Sequence, residues 1–296
     1  MGTIIGNSIA VGAQLRSKLN QKPITFTLTS TGTGTGVSIL RLWTSEDMLI
    51  AVDGSAKFYD DSAGTINEGT QRTVVAGATR TFYLKCPSGT ANLIFADALK
   101  VLRWGDNTAD GWASSTNAAS IGGSIELLTN LTLLYINGSN TLTGSVAGLT
   151  NLTFLRVLGS NTLTGSVAGL TNLTYLNVTG YNTLTGSVAG LTNLTYLYVL
   201  GSNTLEFPNV TNIKGLCYLY IHTTVILSSA NVNQILADFW LNKDEPKSRN
   251  ERTIDIRGSL SSGAPTGQGI TDAANLAAYR SPNNDPTKAL WTVLTR

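Results

Sequence analysis

A chain of 296 residues has room for about two domains, and its 42% apolar content is enough for a packed core. Charged residues make up only 13% and the net charge is +2, against a usual charged share of about 25%. No basic run points to nucleic acid, no apolar run approaches the ~20 residues of a membrane span, and two distant cysteines, Cys86 and Cys217, argue against a disulfide framework.

Most of the polarity comes from Thr, Ser, Asn and Gly, which favour strands and turns over helices. Residues 1–22 read as an N-terminal arm. Their start, MGTIIGNSIAVGAQLRSK, lacks the basic n-region of a secretory signal. Gly6 also stands where a myristoylation motif wants Ser or Thr. The expectation is a chain made soluble, with an arm that either docks on another subunit or frays.

Residues 23–97 change to a period of two. ITFTLT (Ile24–Thr29), VSILRLW (Val37–Trp43), MLIAV (Met48–Val52), RTVV (Arg72–Val75), RTFYLKC (Arg80–Cys86) and ANLIF (Ala91–Phe95) are strand candidates. TGTGTG (Thr31–Gly36), Asp53-Gly54, Asp60-Asp61-Ser62 and Pro87-Ser88-Gly89 supply the connections between them. Strands at this spacing predict a small antiparallel β-sandwich. The glycine-rich run is followed by no helix and no GxxxxGK[ST], so it is not a phosphate loop.

The next region, 98–227, is periodic. GSVAGLTNLTFLRVLGSNTLT, GSVAGLTNLTYLNVTGYNTLT and GSVAGLTNLTYLYVLGSNTLE start at Gly144, Gly165 and Gly186, a repeat of 21 residues. A worn copy starts at Gly123, and a fifth carries Leu216-Cys-Tyr-Leu-Tyr-Ile. LKVLRWGDN (Leu99–Asn107) reads as an irregular first copy, with Thr108–Ser120 and Trp112 as an insert on the flank. Fixed periods of this size mark a solenoid. In the copy around Leu152, Leu155-x-Val157 is an inward-facing strand, and Leu163, Val167 and Leu170 cover the other wall. Asn161 recurs as Asn140, Asn182 and Asn203, placed to bond the backbone of a neighbouring coil. One unit cannot stand alone. Six apolar side chains at roughly 1.5–3 kcal/mol each do not offset the ordering of a whole coil at about 1–2 kcal/mol per residue.

Residues 228–296 close the chain. SSANVNQILADFWLNKDEP has Val232, Ile235, Leu236, Phe239 and Trp240 on one helical face, Ser228 or Ser229 as cap and Pro246 as stop. A strand over Arg252–Gly258, a helix near Thr271–Arg280 and a strand over Ala289–Thr295 complete a helix–strand–helix–strand order.

The pattern LxxLxV…N-x-L-T-G-S-V-x-x-L resembles a leucine-rich repeat, close to the N-x-L-x-G-x-I-P type. The Asn lies one residue later than in the common pattern and the unit is short. The resemblance therefore implies a longer strand exit and an extended or 3₁₀ second wall, VAGL being too short for more than a turn. Asp255-Ile256-Arg257-Gly258, Ala264-Pro265, Gly267-Gln268-Gly269 and Leu290-Trp291-Thr292-Val293 resemble the C-terminal cap of bacterial and phage leucine-rich-repeat proteins. The implied fold is mainly β with minor α: a small antiparallel β-sandwich, a leucine-rich-repeat solenoid and an α/β C-terminal cap.

In such a repeat the residues flanking the inward Leu and Val point outward from the concave sheet. The resemblance thus implies a first column of Leu133, Phe154, Tyr175, Tyr196 and Tyr218, and a second of Tyr135, Arg156, Asn177, Tyr198 and Tyr220. A third holds Asn137, Leu158, Thr179, Leu200 and His222. Aromatic residues with polar tips are enriched at recognition surfaces. The ligand-binding candidates are Tyr135, Phe154, Arg156, Tyr175, Asn177, Tyr196, Tyr198, Tyr218 and Tyr220. Near-identical copies carry an opposing reading, since duplication alone multiplies one Tyr into a column. Tyr also pairs well across strands.

No catalytic residue, metal ligand set or cofactor is expected. His222 is the one histidine and has no Ser or Cys motif beside it, and no His or Cys spacing suits a metal. Asn130, Asn151, Asn172 and Asn193 match the glycosylation sequon as repeat consensus only. The composition also resembles that of phage fibre proteins. The expectation is a non-enzymatic virion component that presents the repeat surface to a cell-surface glycan or protein, with other virion subunits as further partners. Contact with them, or self-association, would run through the arm or the β domain. Neither nucleic acid nor membrane is an expected partner. A purely structural virion spacer and a secreted or surface-bound bacterial adhesin are the alternatives.

Overall fold

The computed structural model describes residues 24–30, 38–44, 48–60, 68–86, 90–95, 99–104, 119–137, 140–159, 161–201, 204–206, 212–223, 227–242, 253–256, 264–278 and 292–295. The N-terminal arm, the TGTGTG run, Asp61 and Trp112 with most of its insert lie outside these residues. The chain is mainly β, with antiparallel strands first, a β-solenoid next and two helices near the C-terminus. It divides into two compact units, Met1–Thr143 and Gly144–Arg296.

In the first unit the alternating runs form strands as expected. These are β1 (Ile24–Ser30), β2 (Ser38–Thr44), β3 (Met48–Val52), β5 (Gln71–Val74), β6 (Arg80–Lys85) and β7 (Thr90–Phe95). A short β4 (Lys57–Tyr59) was not legible, because three residues do not establish a period. Next come β8 (Leu99–Trp104), β9 (Ala119–Ser124), β10 (Leu133–Ile136) and β11 (Thr141–Ser145). One sheet has the order β11-β9-β1-β7-β3-β5 and the other β10-β8-β2-β6-β4. Phe26, Leu28, Leu40, Leu42, Ile50, Phe58, Leu84 and Leu93 are buried in the core.

Strand β8 pairs antiparallel with β2 on one edge and parallel with β10 on the other. Strand β9 does the same between β1 and β11. Antiparallel pairing thus passes into solenoid pairing without a linker. LKVLRW takes the place of a repeat strand, as its wording suggested: Leu102 stands in register with Leu134.

The second unit stacks the repeats. β12 (Phe154–Val157), β14 (Tyr175–Val178), β16 (Tyr196–Gly201) and β18 (Tyr218–Thr223) pair in parallel, each copy in register with the next. The other wall is also strand: β13 (Thr162–Ser166), β15 (Thr183–Ser187) and β17 (Thr204–Glu206) form a second parallel sheet. Of the extended and 3₁₀ alternatives that the resemblance implies for this wall, the extended one forms. Thr-Leu-Thr supplies the alternation, with Leu163 and Leu184 buried and the threonines exposed. The glycine after it has φ of 93° at Gly165 and 90° at Gly186, a region L-residues rarely enter. A Cβ at Gly165 would also run into the Ser145 side chain.

VAGL makes a turn, the Leu170 N–H donating to the Val167 carbonyl at 2.9 Å. The Ser166 hydroxyl accepts from the Ala168 N–H at 3.2 Å. Leu152, Leu155, Val157, Leu163, Val167 and Leu170 are all fully buried.

Polar side chains tie coil to coil. The buried Asn182 accepts from the Leu163 N–H of the coil before it at 2.9 Å and donates to its own Thr179 carbonyl at 2.8 Å. Asn140 accepts from the Ile121 N–H at 3.3 Å in the same way. Asn172 and Asn193 reach back to the carbonyls of Thr150 and Thr171 at 3.0 Å each. Thr174 and Thr195 hydroxyls donate to the carbonyls of Thr153 and Thr174 at 3.0 and 2.9 Å. Cys217 occupies the Thr position of its copy, and its thiol donates to the Thr195 carbonyl at 3.2 Å. The cysteine is thus a substitute for a repeat threonine, buried and free of any disulfide.

After β18 the second wall becomes helical. α1 (Ser229–Leu241) is capped by Ser228, whose hydroxyl accepts from the Asn231 N–H at 3.2 Å. It buries Val232, Ile235, Leu236 and Phe239, while Trp240 is half-buried. β19 (Thr253–Asp255), α2 (Gln268–Ala278) and β20 (Thr292–Leu294) follow, and both strands extend the parallel sheet beyond β18. The two helices pack on each other. Asn233 of α1 holds the start of α2, accepting from the Thr266 N–H at 2.9 Å and donating to the Thr266 hydroxyl at 3.0 Å.

Candidate functional site

The outward positions of β12, β14, β16 and β18 follow from strand alternation. Leu155 and Val157 point into the core, so Phe154 and Arg156 point away from it. The coils are in register, so one column carries Phe154, Tyr175, Tyr196 and Tyr218, and the next carries Arg156, Asn177, Tyr198 and Tyr220. Beyond β18 they continue as Thr253 and Asp255.

The first column is a continuous stack. Ring centroids are 4.4 Å apart for Phe154–Tyr175, 4.3 Å for Tyr175–Tyr196 and 4.3 Å for Tyr196–Tyr218, with interplanar angles of 7°, 9° and 9°. In the second column Tyr198 and Tyr220 stack at 4.4 Å and 12°. Such contacts are worth about 0.5–1.5 kcal/mol each beyond area burial, so the ladder stabilises the stacking of coils.

Stacking also decides what a ligand can meet. Tyr175 has a ring on each face and is only 4% exposed. Asn177 beside it is 7% exposed and donates from Nδ2 to the Tyr175 hydroxyl at 3.3 Å. Phe154, Arg156, Tyr196, Tyr198, Tyr218 and Tyr220 are half-buried. Inside the ladder, ring faces are covered by other rings, so edges and polar groups are what remains. Tyr135 belongs to the first unit, where it is 1% exposed and stands in register with Arg103. It shares the outward alternation but offers almost no surface.

Burial raises the pKa of the Tyr196 phenol well above its usual value, and the flanking Tyr175 and Tyr218 phenols add to the effect. The Tyr198 phenol is also raised, first by burial, then by Tyr220, Tyr218 and the Asp255 carboxylate. A phenol of ordinary pKa is already protonated at neutral pH, so both can donate hydrogen bonds there with or without the shift.

Asp255 was missed as a face residue. It is 3% exposed and extends the second column, which therefore runs from a cation at Arg156 to a carboxylate at Asp255. Its signal in the sequence was the alternation of RTIDIRG, but its column depended on a pairing across a long intervening segment. His222 pairs in register with Leu200, and its side chain lies outside the described residues. No protein-family model and no curated protein sequence matches the chain.

Proposed function

We propose that the chain is a non-enzymatic recognition protein. Its solenoid presents the outward face of β12, β14, β16 and β18 to a cell-surface glycan or protein, in the setting of a phage virion. The observation that carries this reading is the in-register row Arg156, Asn177, Tyr198 and Tyr220, all half-buried except the buried Asn177, laid beside the stacked column of Phe154, Tyr175, Tyr196 and Tyr218. Rigid aromatics cost little conformational entropy on binding. Phenol hydroxyls can both donate to and accept from a hydroxyl-rich or carbonyl-rich ligand.

The coil wording retains its likeness to leucine-rich repeats, and a virion fibre, tail or decoration protein suits the low charge and Thr/Ser/Asn/Gly content. A second reading, a structural spacer in the virion, is favoured by one observation: the ladder uses its ring faces on itself.

The test replaces Arg156, Tyr198 and Tyr220 together by Ala and measures binding of the full chain to host cells and to a glycan array. Binding is expected to fall about tenfold or more, since buried aromatic and Arg anchors dominate interface energies, with the far-ultraviolet spectrum unchanged. Undiminished binding would leave the spacer reading in place. Mass spectrometry of purified virions tests the setting, and absence of the chain there removes the phage assignment.

A further inference from the structure

The second wall of the repeats carries exposed hydroxyls that the aromatic face does not use. Strands β13 and β15 both read TLTGS, and β17 reads TLE. Leu163, Leu184 and Leu205 point into the core and are buried. Thr162, Thr164, Thr183, Thr185 and Thr204 alternate with them and are exposed on the outer side. β13 and β15 contain no charged residue, and Glu206 takes the second threonine place in β17 and ends the array.

The register orders these side chains in two directions. Thr164 stands beside Thr183, and Ser166, Thr185 and Thr204 follow one another across the three strands. Neighbours across strands are therefore ~4.8 Å apart, and the two threonines of one strand ~6.6 Å apart, at ~3.3 Å per residue. The array is stiff. Threonine is restricted at χ1, and the leucines between the threonines are locked in the core. Asn182 ties β15 to β13 by accepting from the Leu163 N–H at 2.9 Å. Gly165 and Gly186 repeat the same bend after each strand, with φ of 93° and 90°.

We propose that this face binds the surface of an ice crystal. Hydrogen-bonded water oxygens lie about 2.75 Å apart, and their tetrahedral lattice then repeats at about 4.5 Å in one direction and about 7.3 Å at right angles to it. The first repeat differs from the strand spacing by about 0.3 Å, so the misfit across three strands stays below about 1 Å. The second differs from the Thr-x-Thr spacing by about 0.7 Å, a step that each strand takes once. Charge agrees as well: ice is neutral, and the threonine array offers a charged polymer no counter-ion. Hydroxyls donate and accept as lattice waters do, and the methyl groups beside them shed their hydration on docking. A flexible glycan lacks a fixed repeat in both directions, so the regularity of the array would be wasted on it. The site uses none of the aromatic residues, and stands whether or not they bind a ligand.

The test grows ice slowly from a dilute solution of the labelled full chain and measures the share of protein taken into the crystal. Inhibition of ice recrystallisation is the second readout. The chain is expected to enter the ice, where a protein without an ice-binding face is left in the liquid. Thr185→Tyr raises a ring in the middle of the Ser166–Thr185–Thr204 row and keeps a good strand former; it is expected to abolish both effects. Thr171→Tyr, at an exposed turn position outside the array, is expected to leave both unchanged. If Thr185→Tyr loses its thermal transition, Thr183→Lys decides in its place. Exclusion of the unaltered chain from ice, or full uptake of the folded Thr185→Tyr or Thr183→Lys variant, overturns the proposal. Exclusion together with self-association that Thr185→Tyr abolishes overturns it in favour of a second copy of the chain.

Discussion

Two kinds of coil share one parallel sheet in Gly144–Arg296. In the first kind, the return from β12, β14 or β16 runs through a strand, β13, β15 or β17. In the second, the return from β18 to β19 and from β19 to β20 contains α1 and α2. The inward Leu-x-Val or Ile strand is common to both, with Leu176, Leu197, Leu219 and Ile254 in register and fully buried. The sheet is therefore the constant element and the second wall is interchangeable. The walls differ in where their hydrogen bonds go. A strand wall bonds to the neighbouring coil, so each coil depends on the next. A helix satisfies its backbone internally. It needs no strand partner on that wall, which ends at β17, while the shared sheet runs on to its edge strand β20.

Three substitutions test this contrast. The largest effect is expected from Leu176→Ala, which removes a fully buried side chain from the constant element. It should cost about 2–5 kcal/mol in urea unfolding, and a loss under 1 kcal/mol would mean the coil relaxes around the void. Asn182→Ala acts on the strand wall alone. It strips the buried Leu163 N–H of its acceptor, for an expected loss of about 1–3 kcal/mol. Amide exchange at Leu163 should accelerate while α1 amides stay unchanged, and equal acceleration in both would deny the difference between walls. Ser228→Ala acts on the helical wall. Loss of the cap bond to Asn231 should cost about 1 kcal/mol, with faster exchange confined to the first turn of α1. Spread of that effect into Leu163 would show the helix wall to be as coupled as the strand wall.

Much of this was legible because local rules and tertiary demand coincide. The buried positions Leu152, Leu155, Val157, Leu163, Val167 and Leu170 repeat, so the period alone located the core. Ser228 and the apolar stripe of α1 were readable for the same reason. TLTGS was harder, because three alternating residues before a glycine satisfy a strand, a turn or an extended wall equally well. Asp238 on α1 and Asp272 on α2 interrupt the expected polarity. Both are buried, and each accepts from a glutamine one turn earlier, Gln234 at 2.8 Å and Gln268 at 2.9 Å. Such pairing cannot be inferred from polarity alone.

By itself the sequence determined the period, the inward residues, the Asn ties between coils and the order of elements after the repeats. Each of these is encoded within one coil or one helix. Only the tertiary structure decided that the second wall is a sheet, that the tyrosines cover one another's faces, that Asp255 joins the Arg156 column, and that Arg41 meets Arg103. Those facts depend on which strands lie side by side. Register across long segments is set by cooperative packing and hydrogen bonding of the whole sheet, which no single stretch of residues contains.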